Sequence, residues 1–270
     1  MKPDSSFVPG TAGELGYFTA RNLSGLGQFR HWFLTRRTGR STGPFATLNL
    51  GYGNGDDDGV VAGNRKAAWT ALGLSREPLG LKQSHTDGVE VVGEGSAGML
   101  AGSPPLADAF ITAEKGTPLM VLTADCLPVV VCDARTPALG VVHAGWRGTA
   151  LGITRKAVSL MAREFGTKPG ECFAAVGPGI APECYTVGED VRAAFIRGFP
   201  WGTEVLRPAE GGGWKADLRE ANLRQLVEAG LPASAVAVCP YCTHCETEHF
   251  FSARRDGPKS GRQASVAMLI

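Results

Sequence analysis

Five histidines and seven cysteines are spread over the 270 residues; two of the histidines stand at strand ends beside glycine-rich turns, and one cysteine lies in a break between two apolar runs. His85 lies in Lys82-Gln-Ser-His85-Thr-Asp-Gly88, Cys126 in Thr123-Ala-Asp-Cys126-Leu-Pro128, and His143 in Val141-Val-His143-Ala-Gly-Trp-Arg-Gly148. They are too far apart along the chain for a local zinc finger but suit a site assembled where several strand ends meet. Zinc binds imidazole nitrogen and thiolate sulfur readily, and catalytic sites commonly use three protein ligands and leave a fourth position for water or substrate. A His₂Cys set fits that rule. Spacing alone leaves a plainer reading open, with Cys126 a small core residue and both histidines satisfied in their turns, since free cysteines are usually core residues.

A second set lies near the C-terminus. Cys239-Pro-Tyr-Cys242-Thr-His-Cys245 is C-x₂-C-x₂-C, and His249 follows four residues on, a spacing that can hold zinc or an iron–sulfur cluster. The alternative is a strand end with incidental cysteines, and the sequence leaves the choice open. Arg254, Arg255, Lys259 and Arg262 in the tail could fork onto phosphate, although charge alone favours a solvated loop. The basic turn Arg36-Arg37 with Gly39 and Arg40 carries the same ambiguity. Gly177-Pro-Gly-Ile180 lacks a P-loop lysine and reads as a turn, and Gly51-x-Gly53-x-Gly55 departs from the dinucleotide spacing.

The elements that must position these residues are short and apolar. His31–Thr35 and Val89–Val92 read as strands. Ala109–Thr112, Leu119–Thr123, Val129–Cys132 and Leu139–Val142 are near-continuous apolar runs, as expected of strands buried on both faces. Cys172–Val176, Ala235–Val238 and Val266–Ile270 complete the strands. Asn64 reads as the cap of a helix ending near Gly73. Ile153, Ala157, Leu160, Met161 and Phe165 recur at helical spacing, and Gly166 closes that helix. A short helix is expected over Asp190–Gly198, and Asp217-Leu-Arg-Glu220 resembles a capping box for a helix that stops at Gly230-Leu-Pro232.

Apolar residues make up 43% of the chain, enough for a sizeable core, and the formal net charge of +1 gives no electrostatic case for nucleic acid or a membrane surface. No apolar stretch is long enough to span a bilayer. The first ten residues show no secretory pattern, so the cysteines point to a reducing cytoplasm. No Pro/Ser-rich linker divides the chain. One domain over 1–270 is expected, an α/β fold with sheet layers covered by helices, in which residues 1–25 could form a loosely packed N-terminal extension. Oligomeric state is not legible.

Taken together, several segments resemble the YfiH-like family, also called the multicopper-oxidase-like laccase domain family. They are Thr35-Arg-Arg-Thr-Gly39, Leu48-Asn-Leu-Gly51, Gln83-Ser-His85, Thr123-Ala-Asp-Cys126, His143-Ala-Gly-Trp-Arg-Gly148, Gly177-Pro-Gly-Ile180 and Phe250-Phe-Ser-Ala-Arg-Arg255, in family order from about residue 31 to the end. The resemblance implies an α/β/β/α sandwich with mixed sheets and a metal site on His85, Cys126 and His143, with zinc as cofactor and copper as a substitute. It also implies purine nucleoside phosphorolysis, with adenosine, inosine, guanosine or methylthioadenosine and phosphate as small-molecule partners, and adenosine deamination. Family members have also been described as polyphenol oxidases and as peptidoglycan editing factors. This chain has Thr86 where glycine usually follows the motif histidine. Cys242 matches a recurrent family cysteine, whereas Cys239, Cys245 and His249 are particular to this chain.

The residues discriminate among these activities. A multicopper oxidase needs many imidazoles in His-x-His pairs, and this chain has five histidines and no such pair. Copper replacing zinc leaves room only for a side oxidation. Deamination needs a nucleophilic water, which an open zinc position acidifies toward a pKa of about 7. Asp125, beside the ligand cysteine, is the expected proton acceptor or imidazole-orienting group. Arg147 is the expected catalytic phosphate contact, with Arg37 and Asn49 binding substrate. Two rivals remain. In one, Cys126 and His143 form a thiol–imidazole pair for acyl or amide hydrolysis on peptidoglycan precursors. In the other, the protein is a binding module with a structural zinc, which would require a fourth protein ligand.

Overall fold

In the computed structural model, which describes residues 6–93, 95, 98 and 102–270, two large sheets stack face to face with helices on their outer faces. The first sheet is antiparallel and holds Phe7–Ala12 (β1), Leu15–Ala20 (β2), Phe29–Leu34 (β3), Leu119–Thr123 (β6) and Gln263–Leu269 (β14), in the order β1-β2-β3-β14-β6. The second is mixed. It holds Val89–Val92 (β4), Ala109–Thr112 (β5), Leu127–Asp133 (β7), Ala138–Ala144 (β8), Cys172–Val176 (β9) and Val236–Val238 (β13), in the order β13-β9-β7-β8-β5-β4. The pairs β13–β9 and β4–β5 are parallel and the rest antiparallel. A small sheet of Thr186–Val187 (β10), Leu206–Pro208 (β11) and Trp214–Ala216 (β12) lies outside this sandwich.

The near-continuous apolar runs follow from the layering. Along β7, Val130 and Cys132 enter the core between the sheets, while Leu127, Val129 and Val131 face the helix side. Successive side chains point to opposite faces, so a strand covered on both sides must be apolar at every position. The inter-sheet core joins Phe7, Phe18, Phe33 and Val121 of the first sheet to Phe110, Val130 and Val141 of the second. Helices Ile153–Phe165 and Leu218–Glu228 cover the outer face of the second sheet through Ile153, Ala157, Met161, Ala221 and Leu226. Helix Asp58–Ala71 covers the first sheet, setting Ala68 and Trp69 against Trp32, Leu34 and Val266. The α/β/β/α expectation is therefore met.

Two local expectations are corrected. Residues 7–20, expected in a loose extension, form β1 and β2 and supply Phe7 and Phe18 to the inter-sheet core. Burying two aromatic rings ties this segment down far more strongly than its position near the N-terminus suggests. Helix Asp58–Ala71 is capped by Asp57, whose carboxylate accepts the Val60 N–H, and not by Asn64. Asn64 sits inside the helix and turns its amide inward to Ser41 and the Asn49 carbonyl. Asp217, by contrast, caps Leu218–Glu228 as its motif indicates, accepting the Glu220 N–H. Among the described residues no helix is long and apolar enough to cross a membrane.

Candidate metal centre and active site

The link between β6 and β7 is only Ala124-Asp125-Cys126, and it crosses from one sheet to the other. Asp125 takes φ +90° to make that turn, a conformation that aspartate tolerates better than most residues. Its carbonyl accepts the Ile180 N–H, and its carboxylate accepts the Thr243 hydroxyl and the Arg254 N–H, each at 2.7 Å. The Gly177-Pro-Gly turn packs beneath. A Cβ on Gly179 would lie 2.1 Å from Leu127 Cδ2, so only glycine allows this approach. Cys126 is thus delivered at the mouth of β7. His143, near the end of β8, lies opposite Pro128 in register and is 3% exposed.

His85 comes from the loop ahead of β4 and is fixed through a residue the sequence did not single out. Asp108, fully buried just before β5, accepts the N–H groups of Ser84, His85 and Thr86 and the Thr86 hydroxyl. The same carboxylate accepts His143 Nδ1–H at 2.8 Å. One acid therefore positions both imidazoles. Thr86, where the family usually has glycine, contributes two of these bonds. Leu106-Ala-Asp108-Ala-Phe110 gives only a faint signal, an isolated acid entering a buried strand.

The ligand atoms of His85, Cys126 and His143 lie within 4.8 Å of one another, and His85 Nε2 is 3.8 Å from Cys126 Sγ. The two rings meet edge to face with centroids 5.1 Å apart. Burial would push the Cys126 thiol up, but the charge of His143 and hydrogen bonds from both imidazoles outweigh it and bring the thiol down to about 6. Burial would lower His143, yet the Cys126 thiolate and the Asp108 hydrogen bond raise it to about 9. For Asp108, burial acts upward and is overcome by the hydrogen bond from His143 and those from Thr86, which hold the carboxyl well below its usual range.

These residues fit a zinc or copper ion. Asp108 keeps the His143 proton on Nδ1, so Nε2 is left as the ligand nitrogen, the arrangement that commonly orients metal-binding histidines. The thiol is already biased toward thiolate, the form that ligates. Gly145 leaves the needed room, since a Cβ there would lie 2.8 Å from His85 Cδ2 and 3.0 Å from Cys126 Sγ.

All three side chains face a cavity of about 710 Å³. Asp125 and Arg147 line it too, Arg147 with its guanidinium 4.4 Å above the Trp146 ring. Arg37 and Asn49 do not. Arg37 is exposed and bound to the Glu248 carboxylate and carbonyl. Asn49 is fully buried, and its amide is used up on Gly51, Asn54, Asp56 and the Arg262 N–H. Neither is placed to touch a substrate in this cavity. Of the ambiguous tail cations, Arg254 and Arg262 do line it. Arg255 instead binds the carbonyls of Thr243, His244 and Phe250. Tyr185, missed in the sequence, forms part of the wall beneath the Arg254 guanidinium. Imidazole orientation falls to Asp108 and not to Asp125, whose oxygens are engaged by Thr243 and Arg254.

The C-terminal set does not assemble as its spacing suggests. Cys239 is buried in the inter-sheet core, and His249 packs edge-on against Phe18 at 5.7 Å. Cys245 is joined instead by Cys184 and His244.

A family model described as multi-copper polyphenol oxidoreductase laccase matches residues 30–270. The chain belongs to that family. This laccase-family chain is 36% identical to a protein of Bacteroides thetaiotaomicron named purine nucleoside phosphorylase, over 94% of the chain and 96% of the relative. It is also 36% identical to a protein named adenosine deaminase RL5, from an unknown prokaryotic organism, over 81% of the chain and 85% of the relative. The crystal structure of Bacillus licheniformis hypothetical protein YfiH superposes with a TM-score of 0.88 at 30% identity, covering 95% of this chain and 97% of that one.

Proposed function

We propose that the chain is a metal-dependent purine nucleoside phosphorylase that also deaminates adenosine, with zinc, or copper as a substitute, held by His85, Cys126 and His143. The observation that carries the reading is a His₂Cys donor set opening onto a cavity whose walls also bear arginines and aromatic rings. The names of the relatives support both activities. Zinc, when bound, supplies a Lewis acid that activates water near neutral pH.

The chain's own residues supply the rest. Arg147 and Arg254 fork onto phosphate, because guanidinium geometry matches its oxygens. Trp146 and Tyr185 offer ring faces to a purine. In phosphorolysis the held phosphate attacks the anomeric carbon as the glycosidic bond breaks, the purine takes a proton from solvent, and free base and the sugar 1-phosphate (ribose 1-phosphate for adenosine) are released. In deamination water adds at the purine carbon that bears the amino group, Asp125 accepts a proton from that water and returns it to the amino nitrogen, and ammonia leaves. Each Asp125 oxygen takes one protein hydrogen bond and retains acceptor capacity. The substrate class spans adenosine, inosine, guanosine and methylthioadenosine. The seven cysteines, with no secretory pattern ahead of them, fit a reducing cytoplasm.

The test is product analysis of zinc-loaded protein incubated with adenosine and phosphate. Adenine with ribose 1-phosphate, or inosine with ammonia, is expected. Absence of both overturns the proposal.

A second reading has one specific observation behind it, the biased Cys126–His143 thiol–imidazole pair. As a cysteine hydrolase on peptidoglycan precursors, the protein would be inactivated by iodoacetamide without losing metal. As a zinc ligand, Cys126 is protected until chelation.

A further inference from the structure

Outside the cavity, a second set of soft donors converges from two segments remote in sequence. Cys184 lies in the turn after Gly177-Pro-Gly, and His244 and Cys245 lie in the turn after β13. The Cys184, His244 and Cys245 ligand atoms are within 4.8 Å of one another, and the two sulfurs are 3.3 Å apart. Cys242 Sγ accepts the Ala181 N–H at 3.2 Å and is also approached by the backbone N–H groups of His244 and Cys245. Its sulfur lies beside those of Cys184 and Cys245 but outside the set of donor atoms within 4.8 Å of one another, so it must shift to complete a tetrahedral shell.

We propose that Cys184, Cys242, His244 and Cys245 bind a second zinc ion in a closed, structural Cys₃His site. Zinc with Zn–S bonds of about 2.3 Å sets tetrahedral sulfurs about 3.8 Å apart, close to the spacing found here. A disulfide would require about 2.05 Å. The Cys184, His244 and Cys245 donor atoms are near enough to surround a single ion and too close to enclose a multi-iron cluster. C-x₂-C within 242–245 supplies two ligands, as its spacing suggests, but the other two are Cys184 and His244 rather than Cys239 and His249.

The site braces the cavity wall. Cys184 precedes Tyr185, which lines the cavity, and Thr243, between two of the ligands, holds the Asp125 carboxylate. The two segments are also joined by the Thr243 N–H to Gly179 carbonyl bond and the Gly179–Cys242 bridge. With four protein ligands the ion has no open position, so its role is to fix these turns and not to bind substrate. This inference does not rest on the nucleoside reading.

The test is zinc stoichiometry by mass spectrometry on gel-filtered, zinc-loaded full-length protein, with mapping of alkylated cysteines before and after chelation. Two zinc ions per chain are expected, falling to one in Cys126→Ala and to one in Cys184→Ser/Cys245→Ser. Cys184, Cys242 and Cys245 should resist alkylation until chelator is added, a readout that needs no variant. One ion per chain, lost in Cys126→Ala and retained in Cys184→Ser/Cys245→Ser, overturns the proposal. So does a mass about 2 Da low that reduction restores, which would mark a disulfide between Cys184 and Cys245.

Discussion

Replacing Asp108 with asparagine conserves volume but spoils both sides of the metal centre. The carboxylate accepts five hydrogen bonds, one from His143 and four from residues 84–86, and is fully buried. An amide has one oxygen. If its NH₂ faces His143, it donates to Nδ1 and forces the ring proton onto Nε2, which must then be lost before metal binds. If the NH₂ faces Thr86, it meets the Ser84 and Thr86 N–H groups as a third donor, and the loop carrying His85 loosens. Either arrangement removes at least one charge-assisted bond, about 1.5–3 kcal/mol. Loss of such a partner to a metal-bound histidine typically costs about 10–100-fold in metal affinity or activity. Competition for zinc against a calibrated chelator should therefore show Asp108→Asn about 10–100-fold weaker than wild type. A circular dichroism melt of the metal-free forms separates this from global unfolding. Zinc affinity within twofold of wild type, in a folded variant, would refute the claim that one carboxylate positions both imidazoles.

Other outcomes follow from the same geometry. Gly145→Ala has ordinary backbone angles, φ −74° and ψ 170°, so it should fold. Its methyl group must displace His85 or Cys126, and chelator competition should show zinc binding at least about tenfold weaker, in line with other ligand-orienting changes. In metal-free protein, alkylation of Cys126 by iodoacetamide should be half-maximal near pH 6, because its thiol sits at about 6. The rate falls as the thiolate is protonated at lower pH, and a midpoint near the ordinary thiol value of about 8.5 would contradict the pairing with His143. Arg147→Ala and Arg254→Ala should raise KM for phosphate about tenfold or more, from loss of a charged hydrogen bond, and should change deamination less. Arg37→Ala, bound to Glu248 outside the cavity, should leave both activities within twofold in steady-state assays.

The candidate donor residues and most strands were legible because their signals are local. A strand buried on both faces reads as a near-continuous apolar run, as β5 to β8 do apart from polar residues toward their ends, and His143-Ala-Gly-Trp-Arg-Gly148 marks the change from strand to helix in a few residues. β1 and β2 escaped because Phe7 and Phe18 are buried by partners far along the chain, and no local period announces that. Asp108 escaped for a similar reason, since its five donors come from two other segments. Arg37 and Asn49 misled because a motif records that a residue is needed without recording where it points. Both stabilise loops. Cys184 could not be joined to Cys245 from spacing, because only the packing of two distant turns brings their sulfurs together.

The central claim is that His85, Cys126 and His143 share one metal ion with a position left open to the cavity. X-ray absorption at the zinc edge of zinc-loaded Cys184→Ser/Cys245→Ser tests it most directly, since the second set of donors is disabled. The expected shell is two imidazole nitrogens, one sulfur at about 2.3 Å and one light atom supplied by solvent. A shell without sulfur, or one completed by a fourth protein ligand, would contradict it.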